Sequence, residues 1–320
     1  MIKEGSDKIN KKWSTYFFIK VLLLLAIIFL LDYSIGKTLK YFYFKQESGL
    51  LYRTTYSMEK TTAEMLIFGS SRANHHYDPD VFEKGLNLSY YNVGRDGNFI
   101  FYHYAVLKSV LKRYTPKIVV LDFLNSEFVI SKDAYDRISS LLPYYDTHPE
   151  IQDIVNLKSY YEKYKMLSNI YPYNSLLFTI TAGNTEFNKQ RVSDIKGYVP
   201  LKGVSSETAK MVDYESKYAI DSTKVTIFEN FIKDCIAAHV KLYIVRSPGL
   251  QKSSVEDYSV AIGKNIARKN NVSFFDFSSD TSFSNNNRLF ADFVHLNYIG
   301  AKLFSERLTD SIRKTEYNKP

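Results

Sequence analysis

The stretch Glu64-Met-Leu-Ile-Phe-Gly-Ser-Ser-Arg72 holds a short apolar run that ends abruptly in a glycine and two serines. An apolar run without alternating polar residues predicts a strand buried on both faces of a parallel sheet. The Gly-Ser-Ser sequence that follows is typical of a tight turn and a helix start. The stretch therefore predicts the first strand of a sheet, with Ser70 and Ser71 at its carboxyl end.

The rest of the chain repeats this order of strand and helix. Four more apolar runs predict strands at 90–93, 117–123, 242–245 and 272–277. Apolar residues at helical spacing predict helices at 80–84, 99–114, 225–240, 255–270 and 298–313. The alternation predicts an α/β fold, a three-layer α/β/α sandwich around a central parallel sheet. In such sheets the functional site lies at the carboxyl ends of the strands.

About 117 residues separate the third predicted strand from the fourth, far more than one crossover helix needs. This segment is crowded with tyrosine and phenylalanine, and we interpret it as an inserted helical cap at about 130–222. The cap's tyrosines could stack on the apolar faces of sugar rings. Core packing explains them equally well.

A long apolar run lies near the N-terminus, from Trp13 to Ile35. As a helix it would be roughly 34 Å long, enough to cross the hydrocarbon core of a bilayer. The lysines before it favour a cytoplasmic N-terminus and an extracytoplasmic domain. The sequence thus predicts a cytoplasmic tail and single-pass anchor at 1–36, a tether at 37–62 and one α/β domain at 63–320.

Two alternatives to a retained anchor stay open. A signal peptide has the same order of charged and apolar residues, and Ser34-Ile-Gly36 offers a cleavage site that would leave the domain secreted. A buried core helix is the third reading, although the run has no polar face.

Composition and charge exclude several classes of protein. A chain of 320 residues with Tyr 27 and Phe 22 can bury enough apolar surface to fold, and its single cysteine excludes a disulfide scaffold. The net charge of +8 could suit nucleic acid. However, residues 1–62 carry +5 of this charge and the other 258 residues only +3. The basicity belongs beside the predicted membrane, so we expect no nucleic-acid partner.

Two separate segments carry residues suited to nucleophilic catalysis. Ser71 can project its hydroxyl from a strand-to-helix turn, and its own N–H could donate to a developing oxyanion. Asp292 and His295 are three residues apart, so a turn can place the carboxylate against the imidazole. That contact would orient the ring and stabilise its protonated form. Taken singly, each segment is more typical of a turn, a helix cap or a surface histidine.

Together the two segments resemble the SGNH/GDSL hydrolase superfamily, in which a Gly-x-Ser turn follows the first strand and Asp-x-x-His precedes the last helix. The likeness spans roughly residues 63–313, with the cap outside it. It implies an SGNH/flavodoxin-like sandwich in which Ser71 is the nucleophile, His295 the base and Asp292 the partner of that base.

The resemblance also implies an oxyanion hole and a reaction. The N–H groups of Ser71 and Gly94 and the amide of Asn125 would bind the oxyanion. Gly-Ser-Ser in a membrane-anchored chain is similar to the branch that contains the teichoic-acid D-alanyl-transfer protein and the polysaccharide O-acetylation proteins. We therefore expect an extracytoplasmic serine esterase or O-acyltransferase acting on an acylated cell-envelope polysaccharide or cell-wall polymer. It would need no cofactor, and a multi-span membrane protein could be its acyl-transfer partner.

The alternative is a catalytically inactive envelope scaffold or glycan-binding protein with the same fold. Two departures favour it: Ser70 stands where the family has Asp before the nucleophile, and no Gly-x-Asn-Asp follows the third strand.

Three further side chains are expected near the substrate: Arg72, Asn74 and Arg246. Arg72 could bind an anionic group or simply pair with an acidic residue, and Arg246 could belong to a plain turn. A metal site at Asn74-His75-His76 is not expected, because adjacent histidines point in different directions from a helix or strand.

Overall fold

The computed structural model describes residues 2–185, 194–206, 210–211, 217–253 and 255–317. Five parallel strands form the central sheet: β1 (Met65–Phe68), β2 (Tyr90–Asn92), β3 (Ile118–Asp122), β5 (Lys241–Arg246) and β7 (Ser273–Asp276). Two short strands, β4 (Lys210–Met211) and β6 (Gln251–Lys252), pair with each other. The central order is β2-β1-β3-β5-β7. The order therefore reverses between β1 and β3, where doubly wound sheets open a crevice.

The helices lie between and around these strands. In chain order they are α1 (Ile2–Phe44), α2 (Gly49–Thr55), α3 (Ser71–His76), α4 (Pro79–Leu86), α5 (Ile100–Arg113), α6 (Lys132–Asp136), α7 (Gln152–Asn156), α8 (Glu162–Lys165), α9 (Leu177–Gly183), α10 (Ser222–Ala237), α11 (Tyr258–Lys269), α12 (Thr281–Ser284) and α13 (Tyr298–Tyr317). The predicted three-layer α/β/α sandwich with a parallel sheet is confirmed.

The sheet is apolar because both of its faces are covered. Successive residues of a strand point to opposite faces. Leu66 and Val119 join the apolar cluster that contains residues of α5 and α10. Ile67 and Val120 join the second cluster, which contains residues of α4 and α13. The near-continuous apolar strands in the sequence are the direct consequence of this double burial.

The segment predicted as a tether, 37–62, is instead part of the fold. Helix α1 continues to Phe44, and α2 is followed by a π-helical turn at Tyr56–Lys60. Several polar side chains of this segment are buried and form hydrogen bonds inside the protein. The Arg53 guanidinium, for example, is buried and donates to the Asn74 side chain and to two backbone carbonyl groups.

The cap is helical, as expected, but consists of short turns. Helices α6 to α9 alternate with 3₁₀ turns at Arg137–Tyr144, Pro149–Ile151 and Tyr171–Leu176. Among the described residues, α1 is the one helix long and apolar enough to cross a membrane. The Asp32 side chain of α1 accepts four hydrogen bonds from the cap residues Ser168, Asn169 and Ile170. The apolar helix is thus fixed to the cap.

Candidate active site

The turn after β1 places Ser71 at the carboxyl edge of the sheet. Gly69 has φ of +141°, a conformation that favours glycine. A Cβ on Gly69 would approach to 2.8 Å from the Ala73 Cβ and 2.9 Å from the Asp122 Cβ, so the turn leaves no room for a side chain. Helix α3 begins immediately at Ser71. The Ser71 N–H lies in the first turn, where a helix provides no acceptor for it.

Ser71, His295 and Asp292 form a continuous chain of hydrogen bonds. The Ser71 Oγ lies 2.8 Å from His295 Nε2. On the other side of the ring, Nδ1 lies 2.8 Å from Asp292 Oδ2. The structure brings together the three residues that the sequence analysis selected, although 224 positions separate the serine from the histidine. The spacing is that of a nucleophile, a base and an orienting carboxylate.

The Asp292 carboxylate is held ionised by its hydrogen bonds. Partial burial by itself would raise its pKa, but the hydrogen bonds from the His295 ring and from the Val294 and His295 N–H groups outweigh burial and lower the pKa. Its Oδ1 accepts both backbone N–H groups at 2.8 Å. An ionised carboxylate at Nδ1 fixes the ring with Nε2 facing the serine.

Behind this loop lies His76, a residue that the sequence analysis did not place in the site. It is completely buried, and its Nε2 accepts the Leu296 N–H at 3.0 Å while Nδ1 lies 3.0 Å from the Ser247 Oγ. Burial, with Arg72 and His295 nearby, lowers the pKa of His76 well below its usual value. Because Nε2 accepts a hydrogen bond, the neutral ring carries its proton on Nδ1. His76 therefore connects α3, which carries Ser71, to the loop that carries His295.

Gly94 and Asn125, two of the expected oxyanion donors, have different surroundings. Gly94 packs against α3, where an added Cβ would come within 2.9 Å of the Ala73 Cβ. Its N–H, however, donates to the Asn92 Oδ1 at 2.9 Å. Asn125 follows β3 and is half-buried. In this conformation the Gly94 N–H is thus already bound within the protein. Asparagine often bonds the N–H two residues later, so the sequence Asn92-Val-Gly94 contained this signal.

The two arginines expected near the substrate are held inside the fold. Arg72 is buried, lies 3.3 Å from the Asp122 carboxylate and donates to the Phe123 carbonyl at 2.8 Å. Arg246 is also buried and lies 3.4 Å from the Asp276 carboxylate. Of the two alternatives open for Arg72, the structure has the ion pair with an acidic residue. In this position the Arg72 guanidinium is occupied by partners within the fold.

Asn74 belongs to a polar network beside the triad. Its side chain accepts from Arg53 and donates to Asp96 Oδ1 at 2.8 Å. The His75 Nε2 lies 3.7 Å from Asp96, and the His75 ring stands edge-on to the His295 ring at 5.4 Å between centroids. The sequence analysis missed Asp96, although it lies just after β2, at the edge where a parallel sheet binds its ligands.

No family model matches the chain, and no curated protein matches it. Solved structures with a similar fold include the crystal structure of a presumed acylhydrolase from Bacteroides fragilis. That protein is 14% identical, and the match covers 85% of this chain and 99% of the other with a TM-score of 0.41. A likeness this distant carries no argument about the function of this chain.

Proposed function

We propose that the protein is a membrane-anchored serine esterase or O-acyltransferase of the SGNH type. The observation that carries the proposal is the hydrogen-bonded chain from Ser71 through His295 to Asp292. It lies at the carboxyl edge of a parallel sheet, beside the point where the strand order reverses. A serine with a purely structural role does not need a histidine that a carboxylate orients. A nucleophilic serine needs the histidine as its base and the carboxylate to orient that base.

The reaction would proceed through an acyl-serine. As the Ser71 Oγ attacks the ester carbonyl, His295 Nε2 takes the hydroxyl proton and Asp292 stabilises the resulting imidazolium. The Ser71 N–H at the start of α3 would donate to the developing oxyanion. His295 then returns the proton to the departing alcohol. Attack by water would complete hydrolysis, and attack by a sugar hydroxyl would complete transfer.

The substrate class and location follow from the anchor. With α1 in a membrane and lysines at its start, the domain would lie outside the cytoplasm. We infer an acylated cell-envelope polysaccharide or cell-wall polymer as substrate, and a multi-span membrane protein as the source of acyl groups if transfer is the reaction.

Labelling with a fluorophosphonate tests the proposal directly, with hydrolysis of an activated acetyl ester as the second readout. Wild type should label and Ser71→Ala should not, with kcat for the ester at least about 10³-fold lower. Ser70→Ala is the matched control, because it removes the neighbouring hydroxyl, and it should label like wild type. Equal labelling of wild type and Ser71→Ala would overturn the proposal.

A second candidate is an inactive scaffold or glycan-binding protein. It is favoured by the Gly94 N–H, which donates to Asn92 and not toward the serine. On this reading wild type neither labels nor hydrolyses the ester, yet it binds an envelope polysaccharide in a titration.

A further inference from the structure

We propose that one face of the cap docks on the membrane interface beside α1, so that the domain lies on the bilayer. The proposal rests on the membrane-spanning role given to α1 above. We name this surface the juxtamembrane face and define it by its exposed side chains: Tyr160, Tyr161, Tyr164, Leu167, Leu177 and Phe178.

The first step is the length of the part of α1 whose side chains are exposed. From residue 13 to residue 31 the side chains of α1 are exposed, except for the half-buried Val21. This stretch is roughly 28 Å long at the rise of an α-helix, which matches the thickness of a bilayer's hydrocarbon core. Within residues 13–44 of α1, whose side chains the structure describes, contacts with the cap begin at Asp32. The domain thus begins where a bilayer around 13–31 would end.

The second step concerns the cap residues that contact α1 at the end of its exposed stretch. The cap residues that bind Asp32 are Ser168, Asn169 and Ile170. Gly36, one turn further along α1, lies against Asn169 so closely that a side chain there would clash. Segment 168–170 is therefore fixed at the end of the apolar span.

The juxtamembrane face surrounds that segment in the sequence. Leu167, directly before Ser168, is 80% exposed, and Phe178 at the start of α9 is 85% exposed. Helix α9 itself packs along α1, where the Asn184 side chain donates to the Phe42 carbonyl. Large apolar side chains this exposed are unfavourable in water and mark an interaction surface. Tyrosine with leucine and phenylalanine is the composition that membrane interfaces accept.

The charge of the face also fits a lipid surface. Segment 158–165 carries three lysines and one glutamate. Lys163 and Lys165 are exposed, and the Lys163 Nζ lies 4.9 Å from the centre of the Tyr164 ring. Basic side chains beside tyrosines at the end of a membrane helix attract anionic lipid headgroups. We therefore assign a bilayer containing anionic lipid as the occupant of this face.

The full chain offers a clean spectroscopic test because Trp13 is its single tryptophan. In a Trp13→Phe background, Phe178→Trp places one indole on the juxtamembrane face. The protein is reconstituted in vesicles of phosphatidylcholine and phosphatidylglycerol that carry doxyl groups at shallow or deep acyl positions. An indole that sits about 5–10 Å into the interface should be quenched more by the shallow doxyl than by the deep one.

The matched control is Ile236→Trp in the same background. Ile236 is 45% exposed and precedes β5 at the amino edge of the sheet, outside the cap. We expect shallow-doxyl quenching of F178W to exceed that of I236W by roughly twofold or more, and to fall when phosphatidylglycerol is omitted. Equal quenching of the two variants overturns the proposal. A blue-shifted F178W emission that grows with protein density, without quenching by lipid, would instead identify a second copy as the occupant.

Two further measurements separate the possible failures. Trp13 in the wild-type chain reports whether α1 inserts at all, so quenched Trp13 with unquenched F178W disproves the face while the anchor stands. Fluorophosphonate labelling of the same variants reports on the triad, which this surface does not include.

Discussion

The two sides of the candidate active site are held in different ways. Ser71 begins a helix whose neighbours are buried, and the adjacent Arg72 is fixed by the Asp122 carboxylate within the core. Asp292 and His295 lie on a loop near the surface, and the Asp292 side chain is 53% exposed. The position of Ser71 is determined by packing against the sheet, whereas the positions of Asp292 and His295 depend on a few hydrogen bonds.

The difference shows where the site is robust and where it can be adjusted. The serine cannot move without disturbing β3, because a buried ion pair joins Arg72 of α3 to Asp122 at the end of that strand. His295 lies on the more exposed loop, and the hydrogen bond from the Leu296 N–H to His76 is one of the contacts that hold this loop in place. We expect substitutions on the serine side to affect folding and substitutions on the histidine side to affect turnover.

Asp292→Asn should have the largest effect of this series, mainly on turnover. The amide cannot stabilise a protonated His295 and can favour the wrong tautomer, so we expect kcat for an activated ester to fall about 10²- to 10⁴-fold. Asp310→Asn, on the exposed surface of α13, is the control and should behave as wild type. A decrease of less than about threefold would mean that the carboxylate does not serve the base.

Arg72→Met should have the largest effect on stability. It leaves the Asp122 carboxylate buried without its cation, which costs about 3–5 kcal/mol of unfolding free energy. Chemical unfolding in detergent measures this loss. The double variant Arg72→Met with Asp122→Asn should recover part of it, because no unpaired charge then remains. If both variants unfold like wild type, the core ion pair does not hold the serine side.

His76→Phe should act mainly on turnover, with a smaller effect. It leaves the buried Leu296 N–H without an acceptor and loosens the loop, so kcat should fall about 10-fold with KM nearly unchanged. His76→Gln can supply an acceptor oxygen and should recover part of the loss. Ser247→Ala removes only the second partner of His76 and serves as control. Parallel changes in KM and kcat would argue against a positioning role.

The pH dependence of stability should show the smallest effect. The pKa of Asp292 is lowered in the folded protein, so its contribution to stability is present above its unfolded pKa near 4 and is lost as the pH falls through the folded value. Wild type should therefore be more stable than Asp292→Asn at pH 6, and the difference should shrink below pH 4. Solvent screening of this exposed carboxylate keeps the difference small. A difference that grows in acid contradicts the lowered pKa.

Local patterns were sufficient to predict the sheet, whereas Ser71, Asp292 and His295 were selected with the help of the family resemblance. The apolar runs at β1 and β3 are buried on both faces, so every residue in them carries the signal. Ser71, Asp292 and His295 could be selected because their two segments, taken together, match the order of motifs in the family that the sequence resembles. A short spacing, such as the three residues from Asp292 to His295, already constrains the geometry.

Contacts between distant segments could not be predicted in this way. His76 was missed because its role depends on Leu296, 220 positions away. The supposed tether was misjudged for the same reason: Arg53 looks like a solvated residue until its buried acceptors are known. Arg72 was left undecided because the sequence does not show that Asp122 ends the neighbouring strand beside it.

The docking of α1 on the cap determines how far the site can reach. A flexible linker over 37–62 would have let the domain move by about 28 Å relative to the membrane helix. This is the end-to-end distance expected for a random coil of that length. With Asp32 bound to the cap and α2 buried, that freedom is lost. For an anchored protein, Ser71 then works at one fixed height above the lipid. Under the proposed function, polymer segments would have to come to that height to be modified, and the distance of each acyl group from the membrane would then decide which groups can react.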